Sequence, residues 1–401
     1  MKKILILICL FIQVNVYALN LPEIYSSKVL IYDLTDDTVL LEQNSQEISN
    51  IASLTKIMTT ITAIEKNPDI KKEFLITDQV FVGIPWDASV AGLTVGDNLT
   101  IEDLLYASIL PSGADATQAL AISSSSTVST FVKDMNDLAS KIGATNTHFK
   151  NVTGLDEEGH YSTAEDILKI LKYSLKNETF KKIFCTKDYT LSNGKIVKST
   201  VLGYTKNLNL DTSKIIGSKT GYTSKSGLCI AALTNINGHD VIIITLKAPP
   251  IIKEAYNVKD ALTLIEFLES NYDMQALITS GSKIKSLPVE LSQIDEYEIT
   301  STKTVSKYLP TDYNQDLFKV EYIGEKTLSF NSKGKIGNLK YYYDGVLLDE
   351  EEVIIDKEIK IDIFKVIIKY KVILILMLIG IIILLYLLRK LKKKKTKRKR
   401  I

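Results

Sequence analysis

Three short strings of residues that could carry chemistry follow one another along the chain. They are Ser53-Leu54-Thr55-Lys56, Ser112-Gly113-Ala114 and Lys219-Thr220-Gly221. A serine hydroxyl becomes a strong nucleophile when a neighbouring base takes its proton, and a lysine with a lowered pKa can be that base. The strings, in this order, match a motif set of serine acyl-transfer enzymes, except that position 114 holds Ala where an Asn is expected. They predict a serine nucleophile activated by a lysine.

The surroundings of Ser53 distinguish it, because the Ser-x-x-Lys pattern also begins at Ser280, Ser282 and Ser332. Ser53 opens an apolar helical pattern that follows two predicted strands. On a helix, a spacing of three residues places Ser53 and Lys56 on one face. The helix N-terminus directs backbone N–H groups at the serine, where an oxyanion would develop. We expect burial and a second cation to lower the pKa of Lys56.

The third string occurs once and has the pattern of a strand. Lys219 and Gly221 then face one side of the sheet and Thr220 faces the other. Lys219 is the second cation expected beside the base. Because Gly221 has no side chain, a substrate can lie close against the strand. The backbone N–H of Tyr222 is the expected second oxyanion donor, opposite that of the nucleophile.

The remaining patterns predict the elements that position these strings. Residues 100–185 are mostly helical by periodicity, and Asn237-Gly238 indicates a hairpin. Strands at both ends with helices between them predict an α+β fold, in which helices cover one antiparallel sheet closed by both ends of the region. Strands are predicted at 29–34, 38–42, 215–222, 228–234 and 241–246, and helices at 54–64, 101–110, 164–175 and 258–268.

From about residue 275 the pattern changes to short strands. They are predicted at 317–323, 327–330, 338–343 and 346–348. We therefore divide the exported chain into a domain that carries the three strings, residues 19–272, and a small β-rich domain, residues 273–360. The second domain has no pattern typical of catalysis, so we expect a spacer or a docking module.

The N-terminus has the pattern of an export signal. Lys2 and Lys3 precede a short apolar run and a small-residue cleavage site. Residues 1–18 are therefore expected to be a signal peptide that is cleaved after Ala18.

The C-terminus has the pattern of a membrane anchor. Residues 372–388 are uncharged, which predicts a short transmembrane helix. Residues 361–371 alternate apolar and basic side chains and are expected to lie along the membrane surface as a juxtamembrane segment. The tail, residues 389–401, carries ten basic residues and no acid. The positive-inside rule predicts a single-pass protein of the cell membrane with a cytoplasmic tail and an extracytoplasmic catalytic domain.

Composition excludes other classes. The formal net charge is +2, but residues 19–388 carry −10 once the leader and tail are set aside. We expect the basic tail to meet anionic lipid, and no nucleic acid to bind. The three histidines lack ligand spacing, so neither a metal nor a cofactor is expected. Cys185 and Cys229 are expected to be unpaired, with Cys229 in the core, although spacing alone leaves a disulfide open.

At these residues the chain resembles the D-alanyl-D-alanine carboxypeptidases, the low-molecular-mass penicillin-binding proteins of serine peptidase family S11. The likeness runs from about residue 24 to about residue 350. The segments that carry it are 51–59, 91–96, 104–116, 145–149, 153–155, 160–164 and 217–223. The resemblance implies a β-lactamase/transpeptidase-like fold.

The resemblance also implies a role for each site residue. Ser53 would attack the carbonyl between two D-alanines of a peptidoglycan stem peptide and form an acyl-enzyme. Lys56 would accept its proton, and Ser112 would relay a proton toward the leaving amine. β-Lactams would be covalent inhibitors of the same serine. The substrate-binding residues would be Lys219, Thr220, Gly221, Tyr222 and Thr223.

Two features of the site depart from the family pattern or stay open. The family's Asn can hydrogen-bond both the lysine and a substrate amide, and Ala114 can do neither. Asp115 is a poor substitute, because one residue along a helix turns the side chain by about 100°. We expect retained acylation with altered substrate positioning or deacylation. The family's further basic residue for the substrate carboxylate is unplaced, with Lys247 and Lys253 as candidates.

Three other functions fit parts of the sequence. A class A β-lactamase shares the three strings but needs a carboxylate for the deacylating water, and residues 165–169 resemble that loop faintly while reading as helix. A DD-endopeptidase or transpeptidase uses the same scaffold. A non-catalytic, membrane-tethered peptidoglycan-binding protein would explain Ala114. The serine-type D-Ala-D-Ala carboxypeptidase accounts for most of the segments and is our prediction.

Overall fold

The computed structural model describes residues 21–398, which form two compact units that meet in sequence between Asp273 and Met274. The predicted signal peptide, residues 1–18, and the end of the basic tail lie outside the described residues. The first unit contains strands β1 (Lys28–Asp33), β2 (Thr38–Gln43), β3 (Glu73–Leu75), β4 (Asn98–Thr100), β5 (Asp188–Thr190), β6 (Ile196–Lys198), β7 (Gly217–Thr223), β8 (Gly227–Ile236) and β9 (His239–Ala248). Its helices are α1 (Thr55–Lys66), α2 (Ile101–Ile109), α3 (Ala114–Ser125), α4 (Val128–Lys141), α5 (Ala164–Leu175), α6 (Glu178–Cys185), α7 (Thr200–Leu208) and α8 (Tyr256–Asn271).

The main sheet of this unit has the order β2-β1-β9-β8-β7 and is antiparallel throughout. Strands β1, β8 and β9 are buried along nearly their whole length, because α8 packs on β8 and β9 while α5 packs on β1 and β9. Asn237 and Gly238, both with positive φ, make the two-residue turn between β8 and β9. The predicted sheet, closed by early and late strands, is confirmed.

Helix α1 is the central element of the helical layer. Its residues 55–64 are all buried, because α2, α3, α4, α5 and α6 surround it. The apolar spacing from Leu54 to Ile64 therefore marks a helix that is enclosed on every side. Helix α2 begins with a capping box in which Thr100 and Asp103 exchange hydrogen bonds.

Two parts of this unit differ from the predicted pattern. Residues 142–163 are not helical, although they lie in the stretch predicted as mostly helical. Gly143 has φ +80°, and Asn151 Oδ1 accepts a hydrogen bond from the N–H of Gly154 at 2.8 Å, so side chains and turns take the place of helical bonds. The elements β3, β4, β5, β6 and α7 were not predicted, because the four strands have three residues each and α7 is weakly patterned.

The second unit is β-rich, as predicted. Its strands are β10 (Tyr272–Ile278), which begins at the boundary, β11 (Lys283–Glu290), β12 (Glu296–Thr300), β13 (Val305–Pro310), β14 (Phe318–Gly324), β15 (Leu328–Ser329), β16 (Gly334–Tyr343) and β17 (Val346–Ile355). They form small sheets with the orders β10-β13, β12-β11-β15 and β14-β16-β17. The Asp344-Gly345 turn joins β16 and β17, and both strands are longer than predicted because their exposed faces are polar.

A single helix, α9 (Ile363–Arg398), ends the described chain. Residues 363–391 are long and apolar enough to cross a membrane, with a mean hydropathy of 3.0 in their most apolar window. The predicted transmembrane residues 372–388 lie inside it. Residues 363–371 of the predicted juxtamembrane segment belong to the same helix. Asp362 stabilises its first turn by accepting hydrogen bonds from the N–H groups of Phe364 and Lys365.

Candidate active site

A cavity of about 600 Å³ in the first unit gathers residues from all three strings. Of the predicted site residues it is lined by Ser53, Lys56, Ser112, Thr220, Gly221, Tyr222 and Thr223, together with Ala114. Lys219 is only 1% exposed and lies behind the cavity wall, where its ammonium group donates a hydrogen bond to the carbonyl of Thr220 at 2.8 Å. The strings therefore converge on one site.

Ser53 and Lys56 stand at the start of the central helix. Ser53 lies in a 3-10 turn, Ala52–Leu54, that leads directly into α1. Lys56 Nζ is 2.8 Å from Ser53 Oγ and 2.6 Å from the carbonyl oxygen of Thr153. A neutral amine has a lone pair and two N–H groups, so it can accept the serine proton while donating to Thr153. Ala52 has φ +46°, a strained conformation held where the nucleophile is presented.

Burial sets the protonation of the two lysines. Lys56 is 2% exposed, and loss of solvation lowers its pKa to about 7, against the opposing influence of the Asp115 carboxylate. Burial also lowers the pKa of Lys219 well below its ordinary value, and the charge of Lys56 adds to that effect. The two cations are electrostatically coupled, as expected, but for Lys56 burial is the cause of the lowered pKa.

Gly221 lines the cavity, and its missing side chain also leaves room for a neighbouring turn. A Cβ at this position would lie 3.1 Å from Ile51 O, from Ser53 N and from the Ala52 side chain. The missing side chain therefore lets β7 pack against the turn that carries the nucleophile. The N–H groups of Ser53 and Tyr222 remain the predicted oxyanion donors.

A loop supporting the base was missed as a source of site residues. A Cβ on Gly154, which has φ +83°, would lie 2.0 Å from Ala52 O, so only glycine fits beneath the nucleophile turn. His160 Nδ1 accepts from the N–H of Lys150 at 3.2 Å, which leaves Nε2–H to donate to Thr55 Oγ1 at 2.8 Å. In the sequence, the only indication that this loop belongs to the site is that segments 153–155 and 160–164 are among those that carry the family resemblance.

The second string lies at the start of α3. Ser112 has φ +63° and lines the cavity. The two carboxylate oxygens of Asp115 accept hydrogen bonds from the N–H groups of Ala91 and Leu93 at 2.8 and 2.9 Å. Asp115 therefore anchors a neighbouring loop and does not replace the expected Asn. Ala114 itself lines the cavity with a methyl group.

At the other end of the cavity, Thr223 Oγ1 donates to Asp156 Oδ1 at 2.8 Å. The described lining includes Ile252 but neither Lys247 nor Lys253. Lys247 Nζ instead donates to the carbonyl of Lys225 at 2.6 Å. The structure therefore does not place either candidate for the further basic residue on the cavity wall.

Two other groups of residues bear on earlier expectations. Among the described residues, Cys185 and Cys229 are unpaired, and Cys229 is buried in the core.

Donor atoms of Asp33, Asp36 and His239 lie within 4.8 Å of one another, a grouping that the sequence spacing did not reveal. His239 Nδ1 is 2.7 Å from Asp33 Oδ2, and Asp33 Oδ1 accepts from the N–H of Asp36. Through these two contacts the Asp33 carboxylate stabilises the turn that follows β1.

Fold and site together define a class. An antiparallel sheet covered by helices places a buried lysine against a serine at the start of a helix, beside a Lys-Thr-Gly strand. This arrangement is typical of serine hydrolases and transferases that use a lysine as the base.

Comparisons with known proteins give the family. Residues 15–250 match the family described as D-alanyl-D-alanine carboxypeptidase, peptidase S11. The chain is 30% identical to D-alanyl-D-alanine carboxypeptidase DacF of Bacillus subtilis over 330 residues, 80% of this chain and 82% of that protein. It is 27% identical to DacA of Escherichia coli K12 over 358 residues, 85% of each. The chain belongs to the S11 family of serine-type D-alanyl-D-alanine carboxypeptidases.

A solved structure agrees on the fold. Penicillin binding protein 5 from Haemophilus influenzae matches 86% of this chain and 100% of its own, with a TM-score of 0.61 at 23% identity. The match covers more of the chain than the first unit alone, so the β-rich unit takes part in it.

The pKa of Lys56 predicts the pH dependence of acylation. Lys56 can accept the serine proton only when neutral, so the second-order rate of acylation by a penicillin should rise about tenfold per pH unit below pH 7 and level off above it. The rate should be measured from pH 5 to pH 9 by stopped-flow fluorescence. Lys56→Ala should abolish the rising limb together with nearly all acylation. A rate that is flat between pH 5.5 and 8 would contradict a base of this pKa.

His160 predicts a pH dependence of stability. Burial lowers its pKa from 6.5 to about 4, so the folded state disfavours protonation. The stabilisation from this group is complete above pH 6.5 and is lost as the pH falls through 4, a change of about 3 kcal/mol. The stability advantage of wild type over His160→Gln should shrink by that amount between pH 7 and pH 4, measured by urea unfolding with circular dichroism. Thr55→Val removes the same hydrogen bond but keeps the histidine, so it should retain the wild-type pH slope.

Proposed function

We propose that this protein removes the terminal D-alanine from peptidoglycan pentapeptides through an acyl-enzyme on Ser53. The observation that carries the proposal is the 2.8 Å contact between Lys56 Nζ and Ser53 Oγ, made by a lysine whose pKa is about 7. About half of such a lysine is neutral near neutral pH, which suits a general base. Membership of the family supports the choice of substrate.

Acylation uses the residues of all three strings. The peptide carbonyl enters between the N–H groups of Ser53 and Tyr222, and Ser53 Oγ attacks it while Lys56 takes the proton. The tetrahedral intermediate collapses, the C–N bond breaks, and the proton passes by way of Ser112 to the departing amine of D-alanine. The ester on Ser53 retains the shortened peptide.

Substrate binding depends on the β7 side of the cavity. Thr220 Oγ1 is 2.7 Å from Thr200 Oγ1, which fixes that hydroxyl, and Thr223 offers a hydroxyl further along the strand. Burial disfavours the charged form of Lys219, which lies behind them, and the negative charge of a bound substrate carboxylate would favour it, so this lysine would pair with the carboxylate once the substrate is in place. A water molecule then attacks the ester while Lys56 accepts its proton, the proton returns to Ser53 Oγ as the acyl C–O bond breaks, and the tetrapeptide is released.

The same serine accounts for covalent inhibition by β-lactams, whose strained amide replaces the D-Ala-D-Ala bond. Helix α9 anchors the protein in the cell membrane as a single pass. The run of lysine and arginine after residue 388 holds that end in the cytoplasm. The catalytic unit therefore faces the cell wall, where its substrate lies.

Mass spectrometry of the products tests the proposal. The full-length protein in detergent, incubated with a stem pentapeptide, should yield the tetrapeptide and free alanine, and Ser53→Ala should yield neither. Fluorescent penicillin should label wild type and not the variant. A cross-linked dimer would support a transpeptidase instead. An intact peptide with no penicillin label would support a peptidoglycan-binding protein without activity.

Replacing Ala114 by the asparagine of the family pattern should change the rate of reaction with the substrate. Ala114→Asn places a hydrogen-bonding group on the cavity wall, and one such bond is worth about a tenfold change in rate. We expect kcat/KM for the pentapeptide, or the rate of deacylation, to change by that factor while acylation is retained. Ala88→Asn adds the same group elsewhere on the wall and is the matched control. Unchanged rates in Ala114→Asn would show that the missing Asn has no consequence here.

A further inference from the structure

The only tryptophan of the chain stands at the rim of the cavity and is almost fully exposed to solvent. Trp86 is 96% exposed, although the residues on either side of it, Pro85 and Asp87, both line the cavity. An indole is the largest apolar side chain, and leaving it in water forgoes the stabilisation that burial would give. Its position beside the catalytic cavity gives it access to any ligand that extends out of the site.

The loop that carries Trp86 is anchored and does not hang freely. The N–H of Ala88 donates to the carbonyl of Pro85 at 3.1 Å and closes a turn around Trp86. The N–H of Ala114 donates to the carbonyl of Ser89 at 2.8 Å. Further along the loop, the buried carboxylate of Asp115 accepts hydrogen bonds from the backbone N–H groups of Ala91 and Leu93. The second string of the active site thus fixes where the indole is presented.

The chemistry around Trp86 matches one kind of ligand. Asp87 and Ser89 line the cavity next to it and supply hydrogen-bond acceptors. A pyranose ring has apolar C–H faces, which stack on an aromatic ring, and hydroxyl edges, which donate to carboxylates. If a purely apolar partner surface covered Trp86, the neighbouring Asp87 carboxylate would lose its water without gaining a hydrogen-bond donor. An aromatic face flanked by acceptors therefore favours a saccharide.

We propose that Trp86 is a stacking platform for the sugar ring of the glycan strand to which the substrate stem peptide is attached. The proposal rests on the function proposed above, since that function brings a glycan-linked peptide into the cavity. Four residues separate the scissile carbonyl from the sugar in a stem pentapeptide, and an extended chain of that length reaches about 14 Å. A ligand of that reach extends from Ser53 along the cavity, whose lining includes Pro85 and Asp87 on either side of Trp86. Trp86 thereby selects glycan-linked peptides over free ones.

Tryptophan fluorescence gives a direct test, because Trp86 is the single indole in the protein. Full-length Ser53→Ala in detergent should be titrated with a disaccharide pentapeptide, with the free pentapeptide, and with the disaccharide alone. The disaccharide pentapeptide should shift the emission to shorter wavelength or quench it, the disaccharide alone should do so at higher concentration, and the free pentapeptide should leave it unchanged. An equal response to the free pentapeptide overturns the proposal, as does binding of the disaccharide pentapeptide with no change in emission.

Kinetics give a second test. Trp86→Ala should raise KM for the disaccharide pentapeptide about tenfold at unchanged kcat, and Trp86→Phe should restore most of the loss. The free pentapeptide and penicillin should react with both variants as with wild type. Val82→Ala, at an exposed apolar residue of the same segment, is the matched control. An equal loss on free and glycan-linked peptides would contradict a sugar platform. If wild type hydrolyses neither peptide while the emission still responds to the disaccharide pentapeptide, the proposed function fails and the sugar site stands.

Discussion

The structure depends on burying one lysine without losing its contact with one serine. An ammonium group on the surface stays protonated and cannot act as a base at neutral pH, whereas Lys56, enclosed at the start of α1, has a pKa of about 7. Enclosure requires the five helices around α1 and the loop under its first turn. Contact with Ser53 requires that the turn before α1 be pressed against β7. The packing that buries Lys56 is therefore also the packing that holds it in contact with Ser53.

Two glycines make that geometry possible from opposite sides. Gly221 lets strand β7 approach the nucleophile turn, and Gly154 lets the supporting loop approach it from the other. The strained backbone of Ala52 lies between them. Since a Cβ at either glycine would meet backbone atoms, the site tolerates little movement. The carbonyl of Thr153 gains its place beside Lys56 in this way.

Local patterns were enough to predict much of this. The turn at Asn237-Gly238, the spacing of α1 and the three strings each depend on neighbours in sequence, so the sheet, the central helix and Ser53, Lys56 and Ser112 could be found from the residues. The contact of Lys56 with Thr153 joins residues 97 apart and carries no local signal. The contact between Gly221 and the turn at Ile51 has no local signal either, because the two residues lie far apart in sequence. Strands β5 and β6 have three residues each, too few to show a period, and the apolar residues of α7 are interrupted by Gly203 and polar side chains.

The connection between the β-rich unit and α9 determines whether the helix is a stiff or a flexible tether. The backbone just before the helix is paired with the loop after β11, since the N–H of Asp362 donates to Leu291 O at 2.9 Å and that of Gln293 donates to Lys360 O at 3.0 Å. A helix of 36 residues is about 54 Å long, whereas the hydrocarbon core of a bilayer is about 30 Å thick. In the proposed membrane span, about 24 Å of helix would therefore extend beyond the hydrocarbon core. With α9 as the proposed membrane span, the β-rich unit would be mounted on a stiff helical rod and not on a flexible linker.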